Sequence, residues 1–340
     1  MNSVPNASLV VLSWNGMEHL KVCLSSVCAQ TYQDREIILV DNGSNDGSKE
    51  WVETHYPEVR VERVEQNRGV PGGLNYGIAR ARGRFIAILN NDIEVDPKWL
   101  AESIQALEQH PEAGFTASRV RLYYQRNRLD TVGDLYFRAG YPAKRGWLQH
   151  DGPQFDEPVW VFSACAVAAL YRRELFESVG EMDEDFEAGI EDLDLGFRAQ
   201  LQGFKCRYVS TAIIYHKLGA TVGVGLSNPA HQLRMHRNLW LLKIKNLPAS
   251  LWLRYLPYML LAEAAVLYRG LLGGHFSVLL KARLQVLRVL RKTLVKRRAI
   301  QSRRTVSVRE LDASIGRNWI AHRIAEKKVE AEAASKASSV

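Results

Sequence analysis

The chain has 340 residues, 46% of them hydrophobic, so it is long enough for one large domain with an appendage and a substantial core. Its net charge is +8, but eleven Lys or Arg and one Glu fall between residues 281 and 310. The basic character therefore belongs to one segment. The four cysteines, at 23, 28, 165 and 206, lack metal-ligand spacing and have apolar flanks, which predicts buried thiols and fits a reducing cytosol.

Residues 7–90 alternate between short β-type runs and amphipathic helical patterns, which predicts βαβ units and a mostly parallel sheet. The runs cover residues 8–13, 35–41, 59–64 and 84–89. Apolar residues between 17 and 27 recur at helical spacing and predict a crossover helix. A second helix is predicted to begin at Asp96-Pro97, as N-cap and first helical residue, and to end near Gln109.

The pattern loosens over residues 113–157, where we expect irregular structure and strands above a substrate cleft. The apolar run 158–170 predicts one buried strand, and residues 191–202 predict a helix that ends at Gly203. Two further β runs, 205–209 and 212–215, lead to His216. The fold class is therefore α/β.

Beyond Arg237 the chain is rich in Leu, Trp, Tyr and Ala, but charges and a proline interrupt it before the roughly 20 apolar residues of a membrane span. Apolar helices followed by a basic cluster predict a region that lies in the membrane interface and binds anionic lipid. A helical subdomain packed on the core, or a dimer interface, is the alternative. The aromatic residues are not interleaved with the basic cluster, so nucleic acid is not expected.

Polar residues follow two of the predicted buried strands. Asp41 closes the run 35–41, and Asn90-Asn91-Asp92 follows the run 84–89. Ligands of open parallel α/β sheets bind outside the carboxyl ends of the strands, so these ends outline one site. Asp92 stands where a buried strand opens into a loop, which is a suitable place to hold a metal diphosphate.

Three loops carry further hydrogen-bonding groups. Ser13-Trp14-Asn15 and Asp41-Asn42-Gly43-Ser44 could bind a base and ribose, although such residues also favour turns for backbone reasons. The glycine-rich segment 67–75 leads into a helix, and its backbone N–H groups with Arg68 could meet phosphate or sugar; a loop that needs positive φ is the alternative. Neither dinucleotide nor P-loop fingerprints occur, so those phosphate sites are unsupported.

One more motif follows these in the chain: Glu191-Asp192-Leu193-Asp194-Leu195-Gly196-Phe197-Arg198. In order and spacing, the whole set of motifs resembles that of the family 2 glycosyltransferases with the GT-A fold, and the resemblance covers residues 7–220. The resemblance implies a nucleotide-sugar donor and a divalent ion, Mg²⁺ or Mn²⁺. The third motif is similar to the family's metal-binding D-x-D, with Asn90 in its first position. The predicted donor-binding residues are Ser13, Asn15, Asp41, Asn67, Arg68, Gly69, Asn75 and Asn91.

The resemblance also implies the metal ligands and the base. Asp92 is the main acidic ligand, Asn90 shares its motif, and His216 lies where some relatives have a metal-coordinating histidine. Asp192 is the implied base that takes the acceptor proton, with Glu191 as the alternate. Asp194 is implied as support or as a helix cap. From its spacing, Arg198 is predicted to pair with Asp194 across one turn of the helix, with a side chain that reaches the cleft as the alternative.

Among bacterial relatives the layout resembles rhamnosyltransferases of cell-surface glycan assembly. The predicted function is metal-dependent inverting transfer of L-rhamnose from dTDP-rhamnose to a lipid-linked or polysaccharide acceptor. UDP-galactofuranose, UDP-hexoses, GDP-mannose and a non-catalytic glycan-assembly module stay open, as does homo-oligomerisation. Residues 1–235 are predicted to be catalytic, 236–310 membrane-associating and 311–340 a partly disordered tail. With no export signal apparent, we expect a cytoplasmic protein at the inner face of the cell membrane.

Overall fold

The computed structural model describes residues 4–218 and 228–337. The chain divides into two compact units, and the statements below concern their described residues. The first unit takes Met1–Asp134, Lys144–Ala199 and Phe204–Val224; the second takes Leu135–Ala143, Gln200–Gly203 and Gly225–Val340. The predicted division into residues 1–235, 236–310 and 311–340 concerns function and stays a prediction.

Twelve strands occur in the described residues. They are β1 (Ala7–Ser13), β2 (Arg35–Asp41), β3 (Val59–Arg63), β4 (Phe85–Asn90), β5 (Ile93–Val95), β6 (Ala113–Leu122), β7 (Leu129–Thr131), β8 (Asp134–Tyr136), β9 (Pro142–Lys144), β10 (Trp160–Val161), β11 (Ala168–Arg172) and β12 (Lys205–His216). Ten of them form one sheet, whose main path runs β10-β12-β6-β11-β4-β1-β2-β3; β5 pairs with β12 and β7 with β6.

Helices α1 (Met17–Cys28), α2 (Ser48–His55), α3 (Gly69–Ile78), α4 (Trp99–Gln109), α5 (Arg173–Val179) and α6 (Glu191–Leu201) accompany the sheet. The strand pairs β1–β2, β1–β4, β2–β3 and β6–β12 are parallel, while β11 runs antiparallel between β4 and β6. Six of the ten strands therefore share one direction. This confirms the predicted α/β class with a mostly parallel sheet.

Apolar layers cover both faces of the sheet, so β1 and β4 are buried on either side. Leu20 of α1 and Leu100 of α4 belong to one layer; Leu74 of α3 and Leu195 of α6 belong to the other. The glycines of α3 allow close packing: a Cβ at Gly77 would lie 2.5 Å from Val10 Cγ1. The strand ends are thus held at fixed positions by helices on both sides.

Three predicted elements are wrong in detail. Helix α4 begins at Trp99 and not at Asp96-Pro97, because Asp96 Oδ1 and its carbonyl accept from Lys98 N and Trp99 N, both at 3.0 Å, to form a preceding turn. The run 158–170 divides into β10 and β11. The runs 205–209 and 212–215 are one strand, β12, with a register shift between Val209 and Ile213 that acts as a bulge.

The second unit contains α7 (Pro229–Asn246), α8 (Ala249–Leu272), α9 (Phe276–Ser302), α10 (Val308–Ser314) and α11 (Trp319–Ala337). Its internal segment Leu135–Ala143 packs with these helices: Arg138 Nη2 lies 3.0 Å from Asp312 Oδ1, and Tyr141 Oη donates to Glu263 Oε2 at 3.2 Å. No helix within residues 4–218 and 228–337 combines the length and apolar character needed to cross a membrane.

The tail, residues 311–340, was predicted to be partly disordered, and its described residues are mostly helical. Helix α11 covers Trp319–Ala337, and Glu326 is buried and pairs with His322 at 3.2 Å and with Arg323. These pairs lie three and four residues apart on one helix face, a spacing that supports helix in a polar sequence. Residues 338–340 of the predicted tail lie outside the described residues.

Candidate functional site

The polar ends of β1, β2 and β4 are neighbours in the sheet. Ser13 is in register with Asp41, and Leu12 is in register with Asn90. Adjacent strands lie about 4.8 Å apart, so these ends form one row along the carboxyl edge of the parallel strands. The structure thus brings the predicted strand-end residues to one edge.

The loops after β1 and β2 bind each other. Asn15 N donates to Ser44 Oγ at 2.9 Å, and Asn15 Oδ1 accepts from Asn45 N at 2.9 Å, with Asn15 at a positive φ of 48°. Asp41 Oδ1 accepts from Ser44 N at 2.9 Å, and its Oδ2 lies 3.3 Å from Arg63 Nη1. These side chains shape the loops, which is the turn role that the sequence left open; donor contacts stay a prediction.

The glycine-rich segment is mostly helix, since α3 begins at Gly69. Gly69 has a φ of +71°, and a Cβ there would lie 2.7 Å from the Glu187 carbonyl oxygen. Asn67 Oδ1 accepts from Gly69 N at 2.8 Å and from Asn42 Nδ2 at 3.1 Å. Gly69 therefore needs positive φ and a close backbone approach, and Asn42 is an organiser of this loop that the predicted site omitted.

Arg68 and Asn75 contact the loop after α5. Arg68 Nη2 is 3.2 Å from Glu184 Oε1 and remains half-exposed. The buried Asn75 amide donates from Nδ2 to the Met182 carbonyl and accepts at Oδ1 from Met182 N, both at 2.9 Å. Because both ends of that amide bind backbone, Asn75 positions the loop in this structure.

Asn90 and Asn91 connect β4 to its neighbours. Asn91 is buried, and its Nδ2 donates to Ser13 Oγ at 2.9 Å. A Cβ at Gly16 would lie 2.0 Å from that same Nδ2, so the small residue makes room for the amide. Asn90 N donates to the Val167 carbonyl at 3.0 Å, which ties the start of the motif to the segment before β11.

Asp92 and His216 lie side by side because β5 pairs with β12. Ile93 is in register with His216, and Asp92 O accepts from Lys217 N at 2.9 Å. This pairing brings Asp92 Oδ1 to 3.5 Å from His216 Nε2, and both side chains are buried. Two residues 124 positions apart in the chain thus meet at the carboxyl edge of the sheet.

Asp130 and Lys144 complete this cluster, and the sequence analysis missed both. His216 Nδ1 is 2.8 Å from Asp130 Oδ2, and Lys144 Nζ is 2.6 Å from Asp130 Oδ1. Asp130 is fully buried on β7, which pairs with β6 beside β12. Both residues belong to the stretch 113–157, whose local pattern carried no signal for long-range pairing.

The electrostatics of the cluster follow from these contacts. Burial alone would lower the pKa of His216, but the hydrogen bonds that its ring donates to the Asp130 and Asp92 carboxylates raise the pKa to about 9. Burial would raise the pKa of Asp130, but Lys144 and His216 hold it well below the ordinary value. Burial would also raise the pKa of Asp92, but its hydrogen bond to His216 and the charge of that ring lower it. The carboxylates are therefore stable as anions.

Asp92 and His216 fit one divalent ion that takes some of its ligands from the protein and the rest from a diphosphate and water. Asp130 at Nδ1 directs the other ring nitrogen of His216 toward Asp92, which is the carboxylate–histidine arrangement that supports metal-bound imidazole. The described residues contain no group of three or more His, Cys, Asp or Glu side chains that could hold an ion alone. Two protein ligands suit an ion that takes its remaining ligands from a diphosphate and water.

The acidic start of α6 has three distinct environments. Asp192 is partly exposed, with Oδ2 accepting from Ala166 N and Oδ1 from Leu193 N at 2.9 and 2.7 Å. Glu191 is buried. Asp194 is fully buried and its Oδ2 accepts from Arg198 Nε at 2.9 Å. The predicted pairing of Asp194 with Arg198 is therefore confirmed.

Asp134 is a further acid that the sequence did not single out. Burial raises the pKa of Asp134 well above its ordinary value, and the charges of Asp192 and Asp130 raise it further, while Lys144 opposes them. The charge of Asp192, the candidate base, and the charges of Asp130 and Lys144, which lie beside His216, thus act on the same buried carboxyl group, that of Asp134.

Comparison with known proteins identifies relatives of this chain. The model of glycosyl transferase family 2 matches residues 8–180. The O-antigen biosynthesis protein RfbC of Myxococcus xanthus is 29% identical over 233 residues, 64% of this chain and 18% of that protein. The N-acetylglucosaminyl-diphospho-decaprenol L-rhamnosyltransferase of Mycobacterium tuberculosis is 25% identical over 252 residues, 67% of this chain and 80% of that protein. The chain also spans 26% of the uncharacterized protein y4gI of Sinorhizobium fredii.

Two solved structures have a similar fold. GalNAc-T7 with UDP, GalNAc and Mn²⁺ superposes with a TM-score of 0.58 at 18% identity, covering 72% of this chain and 48% of that one. The mannosyltransferase PcManGT of Pyrobaculum calidifontis, with GDP-Man and Mn²⁺, gives a TM-score of 0.52 at 17% identity and covers 89% of this chain and 86% of that one. Because the family model matches half of the sequence, the chain belongs to glycosyl transferase family 2, and it has the GT-A fold.

Proposed function

We propose that this chain is a metal-dependent, inverting glycosyltransferase that uses a nucleotide-sugar donor. The observation that carries the proposal is the Asp92–His216–Asp130 arrangement, with separations of 3.5 and 2.8 Å at the carboxyl edge of the sheet. Asp92 and His216 would hold Mg²⁺ or Mn²⁺, with Asn90 beside them. The proposed donor-binding groups are those of Ser13, Asn15, Asp41, Asn67, Arg68, Gly69 and Asn91, with Asn75 acting through the loop that it holds.

The chemical step is a single displacement. The acceptor hydroxyl oxygen forms a bond to the anomeric carbon, the bond from that carbon to the diphosphate oxygen breaks, and the hydroxyl proton passes to Asp192. The bound ion would neutralise charge on the departing nucleoside diphosphate. Asp192 suits the base because its carboxylate is fixed by Ala166 N and Leu193 N yet is partly exposed, and each oxygen keeps a second lone pair. Glu191 is the alternate.

For the donor we propose L-rhamnose from dTDP-rhamnose. The support is the name of the mycobacterial relative, an L-rhamnosyltransferase of which this chain covers 80%. The same chemistry serves UDP-galactofuranose, UDP-hexoses and GDP-mannose. The decaprenol in that relative's name and the O-antigen role of RfbC support a lipid-linked or polysaccharide acceptor in cell-surface glycan assembly.

We further propose that α8 binds the surface of the membrane from the cytoplasmic side. Arg254 and Arg269 are exposed on this helix, but most of its exposed large side chains are apolar: Leu253, Leu256, Tyr258, Leu260, Leu261, Tyr268, Leu271 and Leu272. Its one acid, Glu263, is bound by Tyr141 and Arg283. Such a helix, followed by the basic α9, supplies the insertion and the lipid attraction that peripheral binding generally needs.

A vesicle experiment tests this surface. Wild-type protein should sediment with phosphatidylglycerol vesicles and less with phosphatidylcholine vesicles. Leu253→Glu should reduce sedimentation, whereas Tyr124→Glu, at an equally exposed position of the first unit, should not. Equal sedimentation of all three proteins would remove α8 from the membrane contact.

The activity test uses purified protein, Mn²⁺ or Mg²⁺, a panel of sugar nucleotides and a bacterial membrane lipid extract. Nucleoside diphosphate release and sugar incorporation into lipid should occur with one donor and depend on both metal and extract. The departure at Asn90 from the family's acidic motif makes a non-catalytic binding module the second candidate. Binding of a sugar nucleotide without release, in a panel validated by a control enzyme, would favour that module.

A further inference from the structure

The second unit contains an apolar cavity of about 450 Å³ between α8 and α11. Tyr258, Leu261 and Ala262 contribute from α8; Ile320, Ala321 and Ile324 contribute from α11. Pockets for drug-sized ligands span about 300–1,000 Å³ and are lined mainly by apolar side chains. This cavity therefore has the size and lining of a binding site for part of a hydrocarbon molecule.

The walls of the cavity leave large apolar groups uncovered. Leu261, Ile320 and Ile324 are 60%, 55% and 54% exposed. Covering these side chains removes apolar surface from water, which favours the binding of a hydrocarbon ligand. The cavity also continues the exposed apolar face of α8, because Tyr258 and Leu261 belong to both. A chain that leaves a membrane surface along α8 would enter here.

The charge of the cavity points to an anionic head group. Arg317 lines it and is exposed, and no acidic residue is among the described residues that line it. Arg317 forms no ion pair within residues 4–218 and 228–337. By contrast, the nearby Arg254 lies 3.0 Å from Asp312. Arg317 is thus available to a phosphate, for which arginine is well suited.

We propose that this cavity binds the hydrocarbon chain of a single-chain isoprenoid phosphate, with Arg317 paired to the phosphate. The volume fits a segment of one chain and not the two acyl chains of an ordinary phospholipid. The inference rests on the proposed lipid-linked acceptor and deepens it, because it assigns the carrier lipid a place of its own in the second unit. It requires only binding and no chemical step.

The test measures direct binding of geranylgeranyl phosphate to the full chain, using the radiolabelled lipid in detergent micelles. Ala321→Trp would fill the cavity with an indole, and it should weaken binding at least about tenfold. Ala325→Trp is the matched control, since Ala325 is exposed on the same helix but does not line the cavity. It should bind as the wild type does.

Two further measurements make the result independent of one variant. Arg317→Ala should weaken binding of the phosphate about three- to tenfold while leaving geranylgeraniol, the neutral alcohol, unaffected. A diazirine analogue of the lipid should label wild-type peptides that contain Leu261 or Ile324. Labelling elsewhere, or equal affinity in the Ala321→Trp and Ala325→Trp proteins, would overturn the proposal.

Competition separates this lipid from others. Dioleoyl phosphatidylglycerol should not displace geranylgeranyl phosphate; equal displacement would mean that the cavity takes membrane phospholipid, against the proposal. Failure of the proposed function has a different signature. Specific lipid binding without nucleoside diphosphate release from any donor would support the proposed lipid site and contradict the proposed transfer reaction.

Discussion

Replacing Asp130 by Asn should weaken metal binding although Asp130 is not a proposed metal ligand. Its carboxylate serves two partners, with Oδ2 at 2.8 Å from His216 Nδ1 and Oδ1 at 2.6 Å from Lys144 Nζ. The substitution keeps the shape of the side chain but leaves one oxygen. Because Lys144 can only donate, that oxygen faces Lys144, and the N–H₂ group of the introduced amide then faces His216.

An N–H₂ group at this position favours the wrong tautomer of the ring. It donates to a lone pair on Nδ1, so the proton of the neutral His216 moves to Nε2, the nitrogen that lies toward Asp92. Changes at such supporting carboxylates typically cost about 10–100-fold in metal affinity, or about 1.4–2.8 kcal/mol. We expect a loss in that range.

The assay is a titration with Mn²⁺, with and without dTDP, in which free Mn²⁺ is measured by electron paramagnetic resonance. The pH should lie above the value of about 9 to which Asp130 and Asp92 raise the His216 pKa, so that proton competition is small. Asp34→Asn is the control, because Asp34 is exposed and precedes β2 at the opposite end of that strand. Circular dichroism checks the fold of each protein.

Mn²⁺ binding by the His216→Ala and Asp130→Asn proteins decides between the two roles of Asp130. If His216→Ala weakens Mn²⁺ binding and Asp130→Asn does not, then Asp130 does not orient the ring. If neither variant changes Mn²⁺ binding, then His216 itself is not a ligand and its bond to Asp130 is structural.

Three other predictions follow from single contacts. Asp192→Asn should lower kcat about 10²–10⁴-fold with donor affinity unchanged, measured by steady-state kinetics and calorimetry; normal turnover would exclude Asp192 as base. Burial lowers the pKa of Lys243 from 10.5 to about 8, so Lys243→Met should raise the free energy of unfolding at pH 7 by about 1–3 kcal/mol. The contribution of Lys243 to wild-type stability should rise between pH 8 and 10.5, because the unfolded lysine keeps its proton to a higher pH than the folded one. Urea titrations should therefore show the difference in free energy of unfolding between Lys243→Met and the wild type narrowing over that range; a constant difference would contradict the prediction. Gly73→Ala should lower the free energy of unfolding by about 1–3 kcal/mol in the same assay, because the added Cβ would lie 2.5 Å from Leu12 Cδ1. Gly152→Ala is the control: its Cβ would meet only a flexible side chain, so the free energy of unfolding should not change.

The half of the sheet from β1 to β4 was predictable because its information is local. Strands β1, β2 and β4 are short apolar runs; Asp41 is the last residue of β2, and Asp92 lies two residues beyond β4, at ends that meet in space. The antiparallel insertion of β11 between β4 and β6 was not predictable, because residues 158–170 look like one continuous strand. Strand order depends on pairings across the whole chain, which apolar periodicity does not encode.

The candidate site shows the same division. Asp92 and His216 could be chosen from their positions at strand ends, and β5–β12 pairing brings them together. Asp130 could not, because it is 86 residues from His216 and lies in a short strand with no distinctive pattern. The helical part of the tail was not predictable for a related reason: Ala, Glu and Lys bury little area, but paired side chains along α11 favour helix.

The interleaving of the two units in the chain has a consequence for synthesis. Segment Leu135–Ala143 belongs to the second unit, and Arg138 finds its partner Asp312 only 174 residues later. At about 5–20 residues per second, Asp312 is synthesised roughly nine to thirty-five seconds after Arg138. Tyr141 likewise has no hydrogen-bond partner of this kind until Glu263 has been synthesised. Deletion of the C-terminal helices would remove these partners, so the first unit expressed with this segment but without those helices should depend on chaperones or aggregate.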